Sequence, residues 1–137
     1  MTPLLILLVA GLAYQVLALI SLARFFQKPL PTIALSEPPG ITVFKPVKGL
    51  DCETRECLQS FLHQDYQSYQ VLFGVADPDD PVLPLLEELR RGSPPGRVEV
   101  TLCPETLGHN PKVSILRQLE LRARYDLLVV ADGDVKV

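Results

Sequence analysis

The sequence predicts an α/β domain with a mainly parallel sheet, preceded by one transmembrane helix. Twenty uncharged residues, 4–23, form an apolar run near the start of the chain. From residue 41 onward, segments rich in β-branched and aromatic residues alternate with segments of helical periodicity. Crossover helices that join parallel strands cover both faces of the sheet, so this alternation favours a parallel α/β arrangement.

Residues 1–26 are interpreted as a membrane anchor. At 1.5 Å per residue the apolar run spans roughly 30 Å, the thickness of a bilayer core. The alternative, a cleaved signal peptide, would carry basic residues before a shorter apolar run, whereas Arg24 and Lys28 follow this one. The positive-inside tendency therefore predicts a single-pass anchor with the remaining chain in the cytoplasm. The segment 27–40 contains four prolines and is expected to be a semi-rigid linker.

Length, charge and cysteine content narrow the possible functions. The 137 residues leave room for one modest domain after the anchor. The net charge is −3 and no basic patch is evident, so a nucleic-acid partner is not expected. The three cysteines have no metal-ligand spacing and are expected to be reduced thiols, as in a cytosolic domain.

The first half of the domain is predicted to alternate strand, helix, strand and helix. The segments 41–45 and 69–76 have the composition of strands. The segments 53–64 and 79–92 have apolar residues at helical spacing. The positions expected to face the core are Cys57, Leu58, Phe61 and Leu62 in the first helix, and Val82, Leu85, Leu86 and Leu89 in the second.

The helix predicted at 79–92 has the clearest boundary signals. Asp80 is a suitable N-cap, and Pro81 fits the first helical position, where its missing N–H is not needed. Pro84 still lies in the first turn, and Gly92 is expected to end the helix.

The second half of the domain is predicted to contain a strand, a helix and a strand. The strands are expected at 97–103 and 127–131, with the helix at 111–125. The last strand is uniformly apolar, which is typical of a strand that is buried on both faces. The helix positions expected to face inward are Val113, Leu116, Leu119 and Ala123.

Candidate functional residues follow the predicted strands, because ligands of parallel α/β sheets bind beyond the carboxyl ends of the strands. Asp132 and Asp134 lie two apart in an extended segment, so both carboxylates can address one site. Carboxylates are suitable ligands for the Mg²⁺ or Mn²⁺ that would offset the charge of a nucleoside diphosphate. The alternative is an ordinary polar turn.

Three other strand ends supply further candidates. Asp77 directly follows the second strand, ahead of Asp79 and Asp80. It is therefore the better candidate for contacting a base or a ribose hydroxyl. Lys112 could meet a phosphate, as an ammonium or together with the N-terminus of the following helix. His109 is interpreted as a surface loop residue. Lys45 and Lys48 either are solvated lysines or line the mouth of the site.

Four blocks of the sequence, taken in order and spacing, resemble the start of ceramide glucosyltransferase and its bacterial relatives, the hopanoid-biosynthesis-associated glycosyltransferases. These blocks are VFKPVKGLD, FLHQDYQSYQVLFGVADPDDP, LGHNPKVSIL and YDLLVVADGDVKV. The resemblance covers residues 41–137, and the anchor fits it too. It implies a GT-A fold, which is a Rossmann-like nucleotide-sugar-binding domain. It also implies a membrane-bound inverting enzyme that transfers a sugar, usually glucose from UDP-glucose, to a lipid hydroxyl such as that of ceramide or a hopanoid-type lipid.

The resemblance also implies roles for particular residues. Asp77 matches the family's first aspartate, in the nucleotide-binding part, and Asp132 matches its second. Asp134 would complete a DxD-like site for Mg²⁺ or Mn²⁺. The turns expected to line the nucleotide sugar contribute Lys45, Pro46, Lys48 and Gly49 after the first strand, and Asn110 and Lys112 before the last helix.

The resemblance places the acceptor-side groups downstream of Val137, so no catalytic residue is expected among the 137. The family's general base is a third aspartate, followed by a Q/R-x-x-R-W motif, and this sequence contains no Trp. We therefore expect 41–137 to be the donor-binding part of a truncated catalytic domain that alone lacks transfer activity.

Several alternatives to this interpretation remain open. They are a lipid-directed GT-A enzyme for another sugar, a membrane-tethered nucleotide- or metal-binding module without catalysis, and a gene fragment. A receiver-like domain is disfavoured because Lys45 and Pro46, not an acidic pair, end the first strand.

Overall fold

The computed structural model describes residues 2–28 and 37–137, which belong to two separate units. The first unit is helix α1, Thr2–Gln27, whose described side chains are all exposed. Its most apolar window has a mean hydropathy of 2.4, so length and composition make it a candidate membrane span. The proline-rich segment expected at 27–40 lies mostly outside the described residues.

The second unit is a three-layer α/β domain built on one parallel sheet, as the sequence predicts. The strands lie in the order β3-β2-β1-β4, and every neighbouring pair is parallel. Its elements are β1 Ile41–Pro46, α2 Thr54–Ser60, β2 Tyr69–Val75, α3 Leu83–Arg91, β3 Val98–Leu102, α4 Pro111–Glu120 and β4 Leu127–Val130.

The alternation of side chains along β2 separates the hydrophobic core into two layers. Val71 and Phe73 pack on one face of the sheet with the buried residues of α2 and α3. Leu72 points to the opposite face and packs with Ile115 and Leu119 of α4. Because successive strand residues face opposite sides, one fully buried strand supports helices on both.

Helix α4 lies unusually close to the sheet at Gly74. A Cβ atom added at this glycine would be 2.4 Å from Cγ2 of Ile115 and 3.0 Å from Cδ1 of Leu119. The absence of a side chain at Gly74 is therefore what allows α4 to pack at this distance. The approach fixes the start of α4 near the ends of β1 and β2.

Helix α2 is shorter than the predicted 53–64, since it ends at Ser60. Side chains from the following turn satisfy carbonyl groups at its end. Gln64 Nε2 donates to the carbonyl of Ser60 at 2.6 Å, and His63 Nδ1 lies 3.0 Å from the carbonyl of Gln59. At Gln59 the side-chain contact adds to a backbone hydrogen bond from the N–H of Leu62, so the last carbonyls of α2 have partners without a further helical turn.

Helix α3 begins at Leu83, later than the sequence predicts, and Pro84 rather than Pro81 lies in its first turn. The predicted N-cap, Asp80, lies before the helix in the turn. Its carboxylate accepts a hydrogen bond from the N–H of Val82 at 2.9 Å and also contacts a distant loop. The residue therefore orders the approach to the helix without capping it.

In the last third of the domain, two predictions about which residues are buried are wrong. Helix α4 ends at Glu120, and Val113, expected inside, is 51% exposed, while Ser114 and Ile115 are buried in its place. The fourth strand is not buried either, because all four residues of β4 are exposed. Among the described residues β4 pairs only with β1, so it forms an edge of the sheet where only one neighbour can shield it.

Candidate functional site

The carboxyl ends of the four strands meet at one edge of the sheet and carry two clefts, each of about 400 Å³. The first cleft lies between the loop after β1, the start of α2 and residues 132–135, which we call the DGD loop. It is lined in part by Pro46, Lys48, Gly49, Cys57, Gly133 and Asp134. The second lies between the ends of β1 and β2 and the start of α4. It is lined in part by Val47, Lys48, Asp77, Asp80, Pro111 and Ile115.

The DGD loop presents the two aspartates at this edge. Both Asp132 and Asp134 are exposed. The carboxylate of Asp132 forms a salt bridge with the ammonium of Lys112, which links the loop to the first turn of α4. Gly133 passes close to β1, because a Cβ atom added there would lie 3.4 Å from the carbonyl oxygen of Pro46.

The carboxylates at this edge suit a divalent cation that binds together with a nucleotide better than a cation that binds by itself. Among the described residues, no three His, Cys, Asp or Glu side chains converge. Asp132 and Asp134 could supply two carboxylates, and Mg²⁺ commonly completes such a set with phosphate oxygens and water. The salt bridge from Lys112 already neutralises one carboxylate, so a cation would compete with this ammonium.

Lys45 is fully buried in β1, with no exposed surface. Its Nζ donates to the carbonyl of Asp132 at 2.5 Å and to that of Val135 at 3.2 Å. The same ammonium lies 4.0 Å from the centroid of the Phe61 ring. The structure therefore places Lys45 beneath the DGD loop and not among the groups at the mouth of the clefts.

Burial also changes the ionisation of Lys45. Desolvation lowers the pKa of its ammonium to about 8, against the opposing attraction of Cys57, Asp134 and Asp132. The charged form is kept by these neighbours and by the carbonyl groups that accept its hydrogen bonds.

The loop after β1 is tethered to the loop after β2. Gly49 has a φ of 74°, and its N–H donates to both carboxylate oxygens of Asp80, at 3.1 and 3.0 Å. Asp80 is 7% exposed, so this tether is largely shielded from water. Lys48 is exposed beside the tether, and Pro46 is half-buried at the end of β1. The tether thus holds Lys48 on the wall shared by both clefts.

Asp77 is exposed on the wall of the second cleft, where the sequence predicts a ligand contact. Its Oδ1 accepts a hydrogen bond from the N–H of Asp79 at 2.9 Å. This local bond fixes the turn, and the remaining carboxylate oxygen has no hydrogen bond to another described residue.

The segment before α4 presents Lys112 and uses Asn110 as a helix cap. The Asn110 Oδ1 accepts from the N–H groups of Lys112 at 3.0 Å and Val113 at 3.4 Å. Asn110 therefore acts on the helix start, while Lys112 extends toward Asp132. His109 is exposed in the preceding loop, as expected.

The residues that follow the DGD loop lie against α2. Lys136 forms a salt bridge with Glu56, and the N–H of Val137 donates to Oγ of Ser60 at 3.1 Å. Val137 itself is exposed. The general base that the resemblance places downstream of Val137 stays a prediction.

Two features of this edge were not expected from the sequence: a contact of Cys57 and the burial of Lys45. The buried Cys57 Sγ lies 3.3 Å from the carbonyl of Asp134, so a residue assigned to the core also contacts the DGD loop. The burial of Lys45 did leave a signal, because strand side chains alternate and Lys45 shares its face with Val43. On that face Val43 packs with core residues of β2.

Comparison with known proteins agrees with the fold. The solved mannosyltransferase PcManGT from Pyrobaculum calidifontis, in complex with GDP-Man and Mn²⁺, superposes with a TM-score of 0.64 at 18% identity, over 91% of this chain and 36% of that one. S. aureus TarS, residues 1–349, gives 0.55 at 21% identity, over 69% of this chain and 27% of that one. The predicted fold, a parallel α/β sheet like that of GT-A glycosyltransferases, is confirmed.

Sequence comparison identifies the family. A ceramide glucosyltransferase of Komagataella phaffii is 32% identical over 95% of this chain, and one of Candida albicans is 33% identical over 70%. The chain spans 28% and 20% of the lengths of these relatives. The family model for glycosyl transferase family 21 matches residues 3–137. The chain therefore belongs to glycosyl transferase family 21, in agreement with the resemblance in its sequence.

Proposed function

We propose that residues 41–137 are the donor-binding part of a membrane-bound inverting glycosyltransferase. The reaction would move a sugar, glucose from UDP-glucose, to the hydroxyl of a lipid such as ceramide or a hopanoid-type lipid. One observation carries the proposal: Asp77, Lys112 and the aspartates of the DGD loop all lie at the carboxyl edge of a family 21 sheet. A parallel α/β sheet binds nucleotides at this edge.

Each of these groups matches one part of a nucleotide sugar. The carboxylate of Asp77 suits the hydroxyls of the ribose or the N–H of the base, since it accepts hydrogen bonds. Lys112 and the N-terminus of α4 suit the diphosphate. Asp132 and Asp134 would hold Mg²⁺ or Mn²⁺, which when bound stabilises the negative charge of the departing diphosphate.

The salt bridge between Lys112 and Asp132 gives the site a defined change on binding. Without donor, the ammonium of Lys112 neutralises the carboxylate of Asp132. A bound diphosphate would offer Lys112 a second anionic partner, and Asp132 would then be available to hold the cation. Lys112 thereby exchanges one charged partner for another, and no charge is left unpaired.

Helix α1 and the basic residues after it support a membrane location. Arg24 and Lys28 follow the apolar run, so the positive-inside tendency places the sheet domain on the cytoplasmic side. The lipid acceptor would reach the reaction from the same membrane. By the resemblance, the general base that deprotonates its hydroxyl belongs to residues downstream of Val137.

The test is donor binding by the full chain in detergent micelles, measured by titration calorimetry with UDP-glucose and Mn²⁺. Asp132→Asn should weaken Mn²⁺-dependent binding at least tenfold, because one anionic ligand is lost. Asp126→Asn is the matched control, since this exposed carboxylate precedes β4 at the opposite end of the same strand. The control should bind like the unsubstituted chain.

Two outcomes would contradict the proposal. Failure of the unsubstituted chain to bind UDP-glucose with either Mg²⁺ or Mn²⁺ would overturn the donor assignment. Tighter binding of GDP-mannose than of UDP-glucose would overturn the choice of sugar nucleotide while keeping a donor site.

A further inference from the structure

The buried ammonium of Lys45 is the least expected feature of the sheet. Lysine is almost never fully buried unless its charge is paired, because an ammonium loses its hydration in the interior. Lys45 nevertheless has no exposed surface and points to the face of the sheet that α2 covers. The groups that contact the ammonium in place of water should therefore indicate the role of Lys45.

Those groups belong to the DGD loop and to Phe61, the residue directly after α2. The ammonium has three donors, and two of them have backbone acceptors, the carbonyls of Asp132 at 2.5 Å and Val135 at 3.2 Å. The Phe61 ring, 4.0 Å away, provides a third favourable contact through its π face. The two carbonyls belong to the first and last residues of the DGD loop, so a single side chain holds both ends of it.

A second buried group supports the middle of the same loop. The Cys57 Sγ lies 3.3 Å from the carbonyl of Asp134. Gly133, between the aspartates, lies against the backbone of Pro46 and Val47. The carbonyls of the loop therefore face the protein, while the carboxylates of Asp132 and Asp134 remain exposed.

We propose that Lys45 is a positioning residue for the two aspartates. It holds the backbone of the DGD loop from beneath, so that both carboxylates are presented together to a divalent cation, and it does not itself contact the donor. The proposal rests on the proposed function only for what the carboxylates bind. The loop-holding role follows from the hydrogen bonds of Lys45 alone.

A lysine suits this position because of its reach and its donors. The N–H of Ala131 donates to the carbonyl of Phe44, and among the described residues this is the last backbone hydrogen bond between β1 and the segment after β4. A long side chain that starts from the strand can reach past this last ladder bond and meet two carbonyls that point inward. An apolar side chain of the same length would fill the space and leave both carbonyls without this donor.

The test compares Lys45→Met with the unsubstituted chain in two measurements. Methionine keeps an unbranched side chain that is one atom shorter, and it removes the three donors. Amide hydrogen exchange of residues 131–137 should become at least tenfold faster, while exchange of the central strand β2 stays unchanged and reports that the sheet is folded. The affinity for Mn²⁺ in the presence of UDP should fall at least tenfold, whereas the affinity for UDP without metal should not change.

Two further variants control for general effects. Lys136→Met removes a surface ammonium next to the DGD loop, where it pairs with Glu56, and should change neither measurement. Phe61→Leu keeps the hydrogen bonds of Lys45 but removes the ring beneath its ammonium, and should accelerate loop exchange less than Lys45→Met does.

The outcomes separate this proposal from the proposed function. Unchanged exchange of 131–137 in a folded Lys45→Met chain would overturn the loop-holding role. Faster exchange with unchanged Mn²⁺ affinity would overturn the positioning role. If the unsubstituted chain fails to bind UDP with Mn²⁺, the proposed function and the cation-binding part fall together, and hydrogen exchange still decides the loop-holding role.

Discussion

At the scale of single residues, the buried charges at the carboxyl edge contact backbone groups of loops rather than each other. Asp80 receives the N–H groups of Gly49 and Val82, and Lys45 donates to the carbonyls of Asp132 and Val135. Each charged side chain thus orders a loop that has no regular structure of its own. The exposed candidate residues at this edge therefore depend on buried neighbours for their positions.

Replacing Asp80 by Ala should destabilise the domain by about 1–3 kcal/mol, because the N–H of Gly49 would lose its buried acceptor. The measurement is the free energy of unfolding in urea, followed by near-ultraviolet circular dichroism. Asp79→Ala is the matched control, since Asp79 is exposed and its side chain accepts no hydrogen bond among the described residues. Equal stabilities of the two variants would contradict the tether between the loops.

The candidate residues with exposed side chains were those that sequence reasoning could find. Asp77, Asp132 and Asp134 follow strands, and parallel strands bring their carboxyl ends together whatever the details of packing. Both faces of β1 are buried, so the strand pattern alone indicates that Lys45 is covered. Its contacts depend on how the DGD loop folds back, and no local pattern in the sequence predicts this.

At the scale of elements, the placement of α4 connects the core to the candidate site. Gly74 lets the helix approach the sheet, and Asn110 fixes its first turn, from which Lys112 extends. The four strands were predicted to within two residues, because β-branched runs between turns are strong local signals. Gly92 ends α3 as predicted. The C-terminal ends of α2 and α4 were missed, since such ends depend on side chains such as Gln64 that bond the last carbonyls.

Replacing Gly74 by Ala should force α4 away from the sheet. The added methyl group would lie 2.4 Å from Cγ2 of Ile115, and overpacking of this kind costs about 1–3 kcal/mol. Gly92→Ala is the control, because its nearest neighbour would be at an ordinary 3.6 Å, and it should alter stability by less than about 0.5 kcal/mol. Thermal unfolding of both variants checks this, and a neutral Gly74→Ala would contradict the close packing.

At the scale of the whole molecule, β4 is an exposed edge strand, and among the described residues one side of its backbone has no partner strand. Its residues are 39–50% exposed, and its backbone pairs with β1 on one side. An apolar edge strand is a template for pairing with another chain. The uniform apolar character of 127–130 predicts a strand correctly, but it cannot say whether neighbours cover that strand.

The chain should therefore self-associate through β4 when α1 is shielded by detergent. Val129→Lys should reduce this association, because a charge on an edge strand opposes strand pairing. The measurement is sedimentation velocity over a range of concentrations. Val113→Lys adds the same charge at an apolar, 51% exposed position on α4 and should leave association unchanged. Equal association of both variants would contradict an interface at β4.

The pairing of β1 with β4 also has a consequence for the order of events on the ribosome. Lys45 and its partner Asp132 are 87 residues apart. At about 5–20 residues per second, Lys45 is made roughly 4–17 s before that partner. During this interval β1, β2 and β3 can already form a sheet, with the ammonium of Lys45 still hydrated. The contacts that hold the DGD loop at the candidate site can therefore form only after translation has passed Val135.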